Sequence, residues 1–178
     1  CGEEGNPLTR LILFDRDGEE TRIVASNGTY RSPRFSPDGR RIVAERLEPD
    51  TLNADLWMFE YARGMAAKFT TSEGPDVAPT WSPDGREVAF SSKRGSRYDV
   101  YTKTVDVITE EKRQPGPEGD NIVEDWSPDG KSILRTVIRN GLWHTPLDSQ
   151  SKPSLIRPTS LLDRWLAEFS PDGRWIAY

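Results

Sequence analysis

One cysteine and one histidine are all that this chain of 178 residues has of the side chains that most often bind zinc. That scarcity excludes the usual zinc ligand sets and any disulfide framework within the chain. His144 stands beside Trp143 in the strand-like "GLWHTPL", and there is no Gly-x-Ser-x-Gly elbow to supply a nucleophile. It therefore reads as a strand histidine packed at a sheet surface and not as a catalytic base. Long apolar runs are missing too: nothing approaches the roughly 20 residues of a membrane-crossing helix, and no signal-peptide pattern is present. Basic residues number 24 against 29 acidic, for a net charge of −5, with no basic stripe and no Gly-rich phosphate loop. Nucleic acid is accordingly not an expected partner, and no cofactor is expected.

A helical apolar period is also absent, and a repeat stands in its place. "FSPDGRRIVA", "WSPDGREVAF", "WSPDGKSILR" and "FSPDGRWIAY" begin at Phe35, Trp81, Trp126 and Phe169, spaced 46, 45 and 43 residues apart. A fixed period in that range marks a repeat architecture. Proline presets φ near −65°, aspartate can accept backbone N–H groups, and glycine accepts the left-handed conformation that closes a hairpin loop. Pro37-Asp38-Gly39, Pro83-Asp84-Gly85, Pro128-Asp129-Gly130 and Pro171-Asp172-Gly173 are thus expected as structural turns.

The apolar segments after the turns read as second strands, and those ending at the aromatics as first strands. "DLWMFEY", "DVYTKTV" and "GLWHTPL" read as third strands, with "AAKFTT", "EEKRQ" and "PSLIR" as weaker outer ones. Four short strands per unit predict an all-β fold, a β-propeller of four-stranded antiparallel blades. Complete units are expected at 30–71, 76–114 and 121–157, with half units at 8–26 and 163–178, in one domain. The halves are complementary and would close a four-bladed ring by pairing. The preferred expectation is part of a larger propeller, whose open blade edges invite self-association.

The motif units, with Asp99-Val100-Tyr101 downstream of the second, resemble the TolB-like propeller repeats of bacteria. The resemblance covers essentially the whole chain and implies fold more firmly than function. Similar repeats occur in the N-terminal gating propellers of prolyl oligopeptidase-type peptidases, and behind the membrane segment of some bacterial serine/threonine kinases. "FSPDGRWIAY" with "LWHTPLDSQ" looks most like the kinase group. An extracytoplasmic position is what the resemblance implies.

Two short motifs have bland explanations. "DRDGEE" at 15–20 opens like a calcium loop but lacks the later ligands, so Asp15, Asp17 and Gly18 read as a hairpin turn. Cys1 suits either a lipidated N-terminus or a cut point in a longer chain, the second being preferred. In the third repeat, Arg135 falls on an otherwise apolar strand, which predicts either a distorted blade or a side chain aimed at the rim.

Loops held by a rigid scaffold are where binding concentrates. The loops expected on one face carry Asp76, Asp120, Glu124 and Asp163 together with Arg97 and Arg164, the candidate rim residues. An ordinary solvated rim explains them as well. A site there would be acid-biased and suited to a protein or peptide partner with basic groups. The favoured function is a non-catalytic binding module, the sensor part of a larger protein. The alternatives are a peptidase's gating propeller and a structural unit that completes a ring by self-association.

Overall fold

The computed structural model describes residues 9–48, 51, 53–148, 150–158 and 166–178, all in strands, turns and connections, with no helix among them. The first sheet runs β1 (Thr9–Phe14), β2 (Glu20–Phe35), β3 (Ile42–Leu47), β4 (Ala54–Glu60) and β5 (Met65–Lys68). The second is β6 (Asp76–Trp81), β7 (Glu87–Lys93), β8 (Tyr98–Thr104) and β9 (Lys112–Arg113). The third is β10 (Asn121–Trp126), β11 (Ser132–Val137), β12 (Gly141–Pro146) and β13 (Ser154–Pro158), and β14 (Glu168–Phe169) pairs with β15 (Ile176–Ala177). All pairings join sequence neighbours antiparallel, so the chain is an array of meanders forming part of a propeller.

The two terminal halves do not share a sheet: β1 joins the first unit and β14–β15 stands as its own hairpin. The sequence suggests a break near residues 27–29, yet β2 runs through it. Gly28 lies close against the Tyr30 ring there, where a Cβ would come within 2.7 Å of it. The Asp15 turn forms as expected, with Oδ1 accepting the Asp17 and Glu19 N–H groups at 2.9 Å.

Each motif turn is the same hydrogen-bonded unit. Ser36 donates to Asp38 Oδ1 at 2.6 Å, that oxygen accepts the Arg40 N–H at 3.1 Å, and Ser36 Oγ accepts the Arg41 N–H at 2.9 Å. Ser82–Asp84, Ser127–Asp129 and Ser170–Asp172 repeat the contact at 2.7, 2.6 and 2.6 Å. Gly39, Gly85, Gly130 and Gly173 have φ of 65°, 70°, 74° and 68°, the left-handed region where glycine bears no steric cost. The serine hydroxyl, then the backbone N–H two residues on, hold all four aspartates below the usual carboxylate range.

Consecutive apolar residues on the second strands are explained by burial on both faces. Val43 packs with Leu56 and Phe69 against Trp81, Val88 and Phe90 of the second unit, while its neighbours Ile42 and Ala44 face Leu11 and Leu13 of the N-terminal hairpin. Ala89 turns the other way, to Val123, Trp126 and Ile133 of the third unit. Leu134 and Leu142 then meet Ala167, Phe169 and Ile176. The core is therefore a series of layers between sheets, each closed by its neighbour.

Arg135 does neither thing expected of it. Its strand pairs with β12 in unbroken register, and the side chain is buried at 1% exposure between the second and third units. It replaces, at the same distance from the motif aromatic, the core residue Phe90 of the second unit. Among the described residues its Nε and Nη2 have no hydrogen-bond partner, and Nη1 reaches Asn121 Oδ1 only at 3.5 Å. Burial pushes its pKa down to about 10.

Candidate functional site

The first strand of each of the three complete units carries a bulge just before the motif aromatic. Register shifts between Arg31 and Arg34, between Val77 and Thr80, and between Val123 and Asp125, with Ser32 and Ala78 at φ of 49° and 53°. Bulges re-aim the side chains that follow them. Here they bring the residue preceding each of three aromatics, Arg34, Thr80 and Asp125, to the lining of one cavity of about 330 Å³, which Glu124 and, from the unbulged β14, Glu168 also line. Four successive first strands thus share an interior, the arrangement expected around a propeller axis.

That cavity is acid-biased, with Glu124, Asp125 and Glu168 against Arg34. Burial pushes Glu124 up to about 7, in opposition to the Thr136 hydroxyl donating at 2.6 Å, the Ala167 N–H and the charge of Arg34. Burial also raises Asp125, although Oδ2 accepts the Phe169 N–H and Oδ1 the Trp126 N–H, each at 2.8 Å. Both carboxyls are therefore poorly solvated, and a cation brought to them would compensate that loss.

The other candidate residues do not gather with Glu124. Asp76 is wholly buried at the entry to β6, where the hydroxyl of Ser72 donates to its carboxylate at 2.9 Å and desolvation raises its pKa. Asp120 accepts the Tyr98 N–H at 2.8 Å, tying the third unit to the second. Arg97 lies 3.6 Å from Asp99, which also binds Arg113 at 3.0 Å. Asp163 and Arg164 lie outside the described residues. His144 packs edge-on to Phe169, ring centroids 6.4 Å apart.

Arg34, Thr80 and Glu168 were not singled out from the sequence. The signal was available in the repeat itself: each stands one residue before a motif aromatic, so aligning the four copies puts them in one column.

These features define a class: a repeat protein of propeller type, with antiparallel blades stacked around an interior lined by its first strands. A family model described as the TolB beta propeller domain matches residues 8–178. The chain belongs to that family. It is 31% identical over 176 residues to the Tol-Pal system protein TolB of Francisella tularensis subsp. tularensis (strain WY96-3418), covering 96% of this chain and 40% of that protein. TolB from Acinetobacter baumannii superposes with a TM-score of 0.79 at 24% identity, over 94% of this chain and 42% of that one. A putative TolB from Agrobacterium tumefaciens gives 0.62 at 22% identity, over 85% and 70%. The chain thus spans about 40% of the length of the curated relatives it matches.

Proposed function

We propose that the chain is a non-catalytic binding module, one propeller domain or a part of one, whose axial cavity receives a basic segment of a protein or peptide. The observation that carries this reading is the convergence of Glu124, Asp125 and Glu168 on one cavity lined by the first strands of every repeat. Two of these carboxyls are desolvated, so a lysine or arginine replaces interactions that water no longer supplies. The kinship with proteins named for a Tol-Pal system supports a protein partner and an extracytoplasmic setting. A role as the sensor part of a larger protein fits the same reading.

Fluorescence anisotropy with a labelled hexalysine peptide tests it. Arg34→Ala, which removes the one cation among the described lining residues, should tighten binding, and Glu168→Gln should weaken it. Binding indifferent to both substitutions would remove the cavity from the account.

A second reading, self-association through a sheet edge, is favoured by the exposure of Leu166 and Trp175, at 86% and 70%. Exposed apolar groups beside a two-stranded hairpin are a pairing surface. Light scattering after gel filtration tests this: a defined oligomer that Trp175→Glu dissolves supports it, and a monomer contradicts it.

A further inference from the structure

A larger cavity, of about 880 Å³, lies against the second sheet and the connection leading into it, and its lining carries three cations, Lys93, Arg94 and Lys103, and three carboxylates, Glu73, Glu110 and Glu111. It shares no lining residue with the axial cavity. Two cations inside it are held in place by contacts of their own. Arg94 stacks over the Tyr101 ring with its guanidinium carbon 3.9 Å from the centroid, and its Nε donates to Ser92 Oγ at 3.1 Å. Lys103 stands over the Phe69 ring at 5.3 Å and donates to the Phe69 carbonyl at 2.8 Å.

Of the three carboxylates, Glu111 is the one paired with both of these cations. Glu111 gives Oε2 to Arg94 and Oε1 to Lys103, the latter at 3.2 Å, and its side chain is only 11% exposed. It belongs to the connection between β8 and β9, a stretch that reaches across to the first unit through Asp106, 2.8 Å from Arg41. Between those two anchors Val107 and Ile108 are exposed, and β9 itself is only two residues long. The strap is thus fastened at its ends by ion pairs while its crest lies in solvent.

We propose that this flank groove docks an acidic segment of a partner protein, and that Glu111 is an internal occupant which the partner's carboxylate displaces. The Glu111 pairing identifies the occupant: Arg94 and Lys103 already hold a carboxylate one oxygen each, and stay positioned by Tyr101, Ser92 and Phe69 when it leaves. With Glu111 displaced the groove lining has three cations against two carboxylates, opposite in sign to the axial cavity, so the two surfaces are distinguishable by probe. An internal competitor lowers apparent affinity by the fraction of molecules in which the strap is released.

The test is anisotropy of a labelled hexaglutamate peptide on the intact protein, at an ionic strength where exposed charges are screened beyond about 8 Å. Glu111→Gln should tighten binding about tenfold, and Asp106→Asn, which loosens the far anchor without touching the cations, by about threefold. Adding Arg94→Ala and Lys103→Met to Glu111→Gln should abolish binding. Glu20→Gln, the same change of charge at an exposed strand end outside the groove, should alter affinity less than about twofold. The proposal is overturned if neither Glu111→Gln nor Asp106→Asn tightens binding, if Glu20→Gln matches Glu111→Gln, or if binding survives loss of both cations.

Discussion

Glu45 on β3 accepts the main-chain N–H of Ala78 at 2.9 Å, across the junction between the first and second units. The same relationship recurs one unit on, where Ser91 Oγ accepts the Val123 N–H at 2.8 Å. In each pair the acceptor stands ten residues after one motif aromatic, and the donor three residues before the next. A bulged strand frees an N–H that its own ladder cannot use, and the previous sheet supplies the acceptor. The bulge that aims residues into the cavity is therefore held by the neighbouring unit.

Glu45→Ala should accordingly destabilise the fold by about 1 kcal/mol, the cost of leaving a half-buried N–H without its protein acceptor. Glu45→Gln, which keeps an acceptor oxygen, should cost less. Urea unfolding of the two variants checks the order.

The motif aspartates set an acid limit. Their pKa values are depressed in the folded state, so their contribution is present above the unfolded value near about 3.9 and is lost as pH falls through the folded values. Thermal unfolding between neutral pH and about pH 3 should show a steep fall in Tm at the acid end. Asp84→Asn should flatten that fall, and equal slopes for variant and parent would remove Asp84 from the explanation.

Glu124 has the opposite sign. Its folded pKa, about 7, lies above its unfolded value, so it favours folding most where it is protonated and loses that contribution as pH rises through 7. Glu124→Gln should raise Tm at pH about 8, by a free energy on the order of 1 kcal/mol after allowance for partial exposure, and change little at pH about 5.

Arg135 should be replaceable with profit. A buried guanidinium with two nitrogens unpartnered costs the fold, and exchange of buried charge for packed apolar side chains is often stabilising by about 1–4 kcal/mol. Arg135→Met should raise the urea midpoint, whereas loss of stability would point to a compensating group on Arg135.

Turn chemistry was legible in the sequence because it is local. Pro37, Asp38 and Gly39 act within five residues, and the hydrogen bonds they make follow from residue type alone. The strand order followed from the repeat. What was not legible depends on register: Asp76, placed on a rim loop from sequence, is buried because β6 begins at that residue, and Glu124 lies within β10 and not in the preceding loop. A shift of one residue exchanges the faces of a strand, and the bulges that decide it leave only a weak trace in composition. Arg135 is illegible for another reason, since nothing local distinguishes a buried arginine from one aimed at solvent.

The most direct measurement is a calorimetric titration of a lysine-rich peptide into the protein at pH about 8 and about 6, on either side of the Glu124 pKa. The account predicts saturable binding that is several-fold tighter at the higher pH, where Glu124 is charged, and a pH dependence that disappears in Glu124→Gln. Binding that does not change with pH, or a pH dependence that persists unchanged in Glu124→Gln, would contradict it.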